Sequence, residues 1–114
     1  MESSEKHDNL IEILRKAWES LDADMIEPLL AEDIHYSSWW TMVELHSKED
    51  YLAYIKERFQ TYSFSECRPL VKIGINKNDG ERAVALQFGE GAPTLIRIKE
   101  RDGLITEMWM QSAE

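Results

Sequence analysis

Cysteine is nearly absent: Cys67 stands alone in 114 residues, so no intrachain disulfide can close this fold. No apolar run approaches the ~20 residues a membrane-crossing helix needs. The opening Met-Glu-Ser-Ser-Glu-Lys-His-Asp lacks the apolar centre of a signal peptide, so the cytoplasm is the expected location. Positive charge is scarce as well, with 13 basic against 22 acidic side chains and a formal net charge of −9. A field of that sign repels phosphate backbones and anionic headgroups, which sets nucleic acid and membrane surfaces aside as partners. Solubility is the simplest role for the charge. There is no phosphate-cradling glycine loop followed by lysine, no dinucleotide fingerprint and no nucleophile elbow; Gly89 and Gly91 lie between two strand-like stretches, where turn geometry accounts for them. His7, His35 and His46 have no short ligand spacing with one another or with Cys67, so neither a metal nor a cofactor is expected.

What is present fits one domain over residues 1–114. Hydrophobic residues make up 43% and charged residues 31%, a globular balance. Residues 1–8 read as a disordered lead-in. Asn9 can then cap a helix whose apolar positions Leu10, Ile11, Leu14, Ala17, Trp18 and Leu21 form one stripe, with Glu12, Arg15, Lys16 and Glu19 outside it. Asp24 with Glu27 predicts a capping box for a short second helix, with Pro28 near its first turn and Met25, Ile26, Leu29 and Leu30 on its buried side. Residues 33–38 read as a first strand. Ser47 and Asp50 open a further helix with Leu52, Ile55, Phe59 and Tyr62 on one face.

The rest predicts a meander. Residues 65–75 carry Cys67, Pro69, Val71, Ile73 and Ile75 at period two, with Cys67 read as a small buried hydrophobe. The run Asn76-Lys-Asn-Asp-Gly80 is a hairpin turn. Arg82 to Phe88 forms the next strand, and Thr94 to Glu100 with Leu104 to Gln111 form a last hairpin around Arg101-Asp102-Gly103. Helices and strands are segregated without βαβ alternation, so the fold class is α+β with an antiparallel sheet.

This order, with Trp18, Asp22-Ala23-Asp24, Leu29-Leu30-Ala31-Glu32-Asp33-Ile34 and Tyr36, resembles the opening pattern of the nuclear transport factor 2-like, or SnoaL-like, superfamily. The Leu45–Asp50 segment resembles the start of that family's third helix, with His46 where the family usually has glycine. The resemblance implies a cystatin-like cone, in which a curved antiparallel sheet wraps about three helices and leaves a conical pocket open at one end. Members include ketosteroid isomerases, polyketide cyclases, scytalone dehydratases, limonene epoxide hydrolases and many non-catalytic binding or dimerisation domains, so activity has to be argued from site residues. Ketosteroid isomerases use a carboxylate base with a tyrosine and a neutral aspartic acid. The resemblance puts those three positions on Ser38, on Leu14 and near Thr94 to Ile96, none of which holds a carboxylate or a helix-one tyrosine.

Alternation places Tyr36, Ser38 and Trp40 on the cone side of the first strand and Met108 and Met110 on that of the last. Val84, Leu86 and Phe88 are expected between them, with Leu14 and Trp18 on the helix side. Tyr36 is then the main hydrogen-bonding group of a mostly apolar pocket, the usual make-up of a small-molecule site. His35 falls on the outer face, as an interface or half-exposed histidine or else as a general base. Glu107 faces outwards towards Arg97 or another base on the adjacent strand, unless the register slips by one and turns it into the pocket. A small sheet with one solvated face does not usually carry tryptophans on both sides. Trp39 and Trp109 therefore predict a homodimer through the outer face. The expected function is binding of a small apolar molecule; the alternative is an enzyme of the isomerase, polyketide cyclase or dehydratase type using other pocket residues.

Overall fold

A computed structural model describes residues 2–38, 42–64, 69–90 and 93–112. Helix α1 (Glu2–Ser20) buries the expected stripe: Ile11, Leu14 and Ala17 are fully inside, with Leu10 and Trp18 nearly so. On its far side Arg15 bridges Glu12 and Glu19 one turn away in each direction. Residues 2–8, expected as a disordered lead-in, belong to this helix. Tertiary contacts account for the difference. His7 is largely covered and lies 3.9 Å from Glu81, while Asp8 lies 4.0 Å from Arg82, so the first turns rest on a distant hairpin. The helix ends in a Schellman arrangement, with the Asp22 amide donating to Ala17 and the Leu21 amide to Trp18. Leu21 takes the left-handed conformation there (φ 54°), a strained choice for a residue with a Cβ, while its side chain packs on the core.

The expected second helix is two successive 3₁₀ turns, Ala23–Met25 and Glu27–Leu29. Asp22, two residues before the predicted cap Asp24, accepts the Asp24 amide at 3.0 Å. Pro28 sits in the second turn, and Leu30 has already entered strand β1 (Leu30–Ser38). A two-residue strand β2 (Glu44–Leu45) pairs back on β1. Helix α2 (Lys48–Phe64) starts as predicted, with the Ser47 hydroxyl accepting the Asp50 amide at 3.1 Å. Strands β3 (Leu70–Ile75), β4 (Arg82–Gln87), β5 (Thr94–Arg101) and β6 (Leu104–Ser112) follow as a meander.

The six strands form one curved sheet in the order β2-β1-β6-β5-β4-β3. The α+β cone is as expected, but the sheet is mixed: β1 and β6 run parallel. The chain leaves the sheet through α2 after β2, and the meander that follows returns beside β1 in the same direction. Local hairpin patterns carry no information about that closing ladder. Between β5 and β6, Lys99 pairs with Glu107 and Glu100 with Ile105, which leaves Thr106 as an extra residue. This bulge resets the alternation, so Ile105 and Met108 both face the core although they are three apart. The β5–β6 turn is of type I′, with Asp102 and Gly103 both at positive φ (56° and 83°). No described helix is long and apolar enough to cross a membrane.

Candidate functional site

The C-terminal ends of β1 and β6, the residue after β4, and one face of each helix meet around one cleft. On β1, Tyr36 (1% exposed) and Ser38 (4% exposed) point inwards. The Tyr36 ring packs against Tyr51 and Tyr54 of α2, with centroids 5.0 and 5.7 Å apart. Helix α2 brings Tyr54, Arg58 and Tyr62 onto one face at successive turns, and the Arg58 guanidinium lies 5.8 and 5.7 Å from the two ring centroids. From α1, Trp18 meets Phe59 edge-on at 4.9 Å and Tyr62 at 6.1 Å. Tyr62 in turn packs on Phe88 at 5.4 Å.

Trp18, Ser38, Tyr54, Ile55, Arg58, Tyr62, Phe88 and Met110 together line a cleft of about 10 Å³. That is room for roughly one water molecule. Of the lining residues, Trp18 keeps a buried indole Nε1 with no hydrogen-bond partner; the Tyr36 hydroxyl, behind the lining, has Ser38 and Tyr54 as its polar neighbours. Burial pushes the Tyr36 phenol well above its ordinary value, nearby Tyr54 adds to this, and the Ser38 hydroxyl works in the opposite sense. Burial also raises Tyr51 strongly and Tyr62 to a lesser degree, the latter opposed by Arg58. The three phenols are thus neutral and can donate a proton into a hydrogen bond. No carboxylate or imidazole lies among the described lining residues. The arrangement can hold a hydrogen-bond acceptor but offers no base to move a proton between carbons.

Neither family models nor curated protein sequences give a match to the chain. Solved structures do. A SnoaL-like protein from Burkholderia thailandensis superposes with a TM-score of 0.72 at 16% identity, over 96% of this chain and 95% of that one. The chain has the nuclear transport factor 2-like fold. A nuclear transport factor 2-like frame is shared with an LEH-like epoxide hydrolase from Mycobacterium tuberculosis (TM-score 0.68, 19% identity, 98% of this chain and 85% of that one). A Catenulispora acidiphila protein with a ketosteroid isomerase-like fold, in complex with trimethylamine, gives 0.63 at 16% identity, over 90% and 83%. Identities this low carry the fold and no activity.

Within the nuclear transport factor 2-like frame the expected lining residues separate into two groups. Leu14, Val84, Leu86 and Met108 are fully buried members of the hydrophobic core between sheet and helices. Trp18, Ser38, Phe88 and Met110 reach the cleft, with Ser38 Oγ 3.9 Å from the Met110 sulfur. Tyr36 packs behind Tyr54, while Trp40, Trp39 and Cys67 lie outside the described residues. The sequence reading missed Tyr54 and Arg58. Their signal was present as the spacing 54, 58, 62, which puts a tyrosine, an arginine and a tyrosine on one side of α2.

The outer face carries the remaining candidates. Glu107 points outwards and pairs with Lys99 at 3.4 Å. Arg97 is instead engaged with Asp79 and Glu81 of the β3–β4 turn and covers the Trp109 ring at 5.4 Å. The Asp79 carboxyl is held below its ordinary range, chiefly by the Glu81 backbone amide and then by Arg97.

Proposed function

We propose that the chain is a cytoplasmic binding protein for a small, largely apolar molecule with an accepting end, a carbonyl or a carboxylate, held at the mouth of the cone. The observation that carries this reading is the buried Trp18 Nε1, which has no hydrogen-bond partner and belongs to a side chain lining the cleft together with Arg58. Buried donors in native proteins almost always find an acceptor, so an orphaned donor on a residue lining an apolar cleft marks a place for one. Met110 and Phe88 line the cleft and are only partly buried, and an occupant larger than a water needs lining side chains such as these to turn aside. An unbranched methionine does so at low cost. The absence of a carboxylate or imidazole from the described lining favours binding over acid-base catalysis.

Native mass spectrometry of purified protein is expected to find a co-purifying small molecule. Independently, adding apolar carboxylates shifts the Trp18 indole N–H resonance, assigned through Trp18→Phe, and Arg58→Leu weakens that binding by at least about tenfold, a loss of roughly 1.4 kcal/mol. A resonance that ignores every carboxylate and carbonyl compound tried, with no co-purifying ligand, removes the proposal.

We further propose a homodimer through the outer face of the sheet, on which Trp109 lies half-buried beneath Arg97. A stable dimer buries roughly 1,200 Å² or more. Sedimentation at tens of micromolar should show two chains, and Trp109→Glu should give one. A monomeric parent, or a variant that stays dimeric, rules the outer-face dimer out.

A further inference from the structure

The absence of short ligand spacing among the histidines is a statement about one dimension, and pairing of β1 with β2 changes the neighbours. In that antiparallel ladder Tyr36 faces Leu45 and Ser37 faces Glu44. The same register sets His35 across from His46, and the two rings stack with centroids 4.8 Å apart and planes 19° from parallel. Glu44 precedes His46 by two residues, so it shares that face of the hairpin. Its Oε1 lies 2.8 Å from His35 Nε2. One donor atom from each of the three residues lies within 4.8 Å of the others. All three side chains are at least partly open to solvent, and none belongs to the cleft described above.

We propose that His35, Glu44 and His46 bind a borderline divalent transition-metal cation, zinc in the first instance, on the outer face of the β1–β2 hairpin. Two imidazoles and a carboxylate are a donor set that zinc accepts, at about 2.0–2.2 Å from each ligand atom. Tetrahedral bonds of that length put neighbouring donors ~3.4 Å apart. The existing triangle brackets that spacing, with one side at 2.8 Å and every side within 4.8 Å. Rotation about side-chain bonds closes it without moving the strands, because two ladder contacts already fix the backbone. The surroundings favour a cation: the chain carries a net charge of −9, and Glu107 on β6 is the ladder partner of His35 from the other side. Lys99 is the opposing charge in that groove and is already paired with Glu107. Three protein ligands leave the fourth position to water or to a donor from outside the chain. Harder cations such as magnesium and calcium prefer all-oxygen shells and are discriminated against here.

The plain alternative is an exposed ion pair between His35 and Glu44 with His46 stacked alongside. Calorimetric titration of tag-free protein with zinc chloride in a non-coordinating buffer separates the two. One zinc per chain is expected, with His46→Ala and Glu44→Gln each weakening the affinity at least about tenfold. His7→Ala and Cys67→Ser should leave it unchanged, which keeps the remaining histidine and the thiol out of the site. Both site variants alter exposed side chains, so unchanged circular dichroism and thermal midpoint in zinc-free buffer are expected and make the comparison valid. No saturable binding at about 100 μM zinc overturns the proposal, as does affinity that survives His46→Ala or disappears with Cys67→Ser.

Discussion

Replacing Trp18 by alanine should remove about 3–5 kcal/mol of stability. Trp18 is 2% exposed and joins the two helices, meeting Phe59 edge-on at 4.9 Å and Tyr62 at 6.1 Å. The alanine variant forfeits the transfer free energy of the indole and leaves a cavity that Phe59 and Tyr62, themselves held by neighbours, can only partly fill. For a domain whose total stability is on the order of 5–15 kcal/mol, this is a large fraction. Trp18→Phe should cost much less. It keeps most of the ring and deletes the Nε1 donor, whose burial without a partner is itself unfavourable. Urea unfolding followed by circular dichroism reads both variants. A Trp18→Ala loss below about 1 kcal/mol means that the helices do not depend on this ring and that the cone is closed by other contacts.

Steroid isomerisation should be absent, with Δ5-3-ketosteroids turning over no faster than in buffer. A positioned base alone contributes on the order of 10²–10⁴-fold in such reactions, and preorganised donors contribute further. Here Ser38 stands at the end of β1, its hydroxyl beside the Met110 sulfur, and Leu14 is buried in α1. Thr94, Leu95 and Ile96 at the start of β5 are buried and carry no carboxylate. Volume argues the same way. Sites for molecules of steroid size run to about 300–1,000 Å³, against the roughly 10 Å³ of this cleft. Ultraviolet assay of the conjugated product is the direct check. Turnover above buffer that is abolished by Ser38→Ala or Arg58→Leu contradicts both the residue argument and the volume argument.

The helices were the most legible part of the sequence because their signals are local. The stripe from Leu10 to Trp18 needs only its own 3.6-residue period, and the Ser47–Asp50 cap needs only a hydroxyl three residues before an amide. The turn at Asn76–Gly80 was legible for a similar reason: Asn76 and Asp79 accept amides two residues further on, and Gly80 takes a positive φ of 73°. Period two put Tyr36, Ser38, Met108 and Met110 on one side of the sheet, the side they occupy.

Tertiary structure decided what depends on residues distant in sequence. The ordering of residues 2–8 comes from His7 and Asp8 meeting the β3–β4 hairpin. The face of Glu107 hung on one extra residue, Thr106, which is left over only when β6 is laid against its neighbours. The division between solid core and cleft depended on how far α2 leans its Tyr54, Arg58 and Tyr62 over the end of β1, which no strand pattern contains. The His35, Glu44 and His46 group was invisible for the same physical reason. Ligand spacing is read along the chain, whereas a cross-strand register makes neighbours of residues that the chain separates by a whole hairpin.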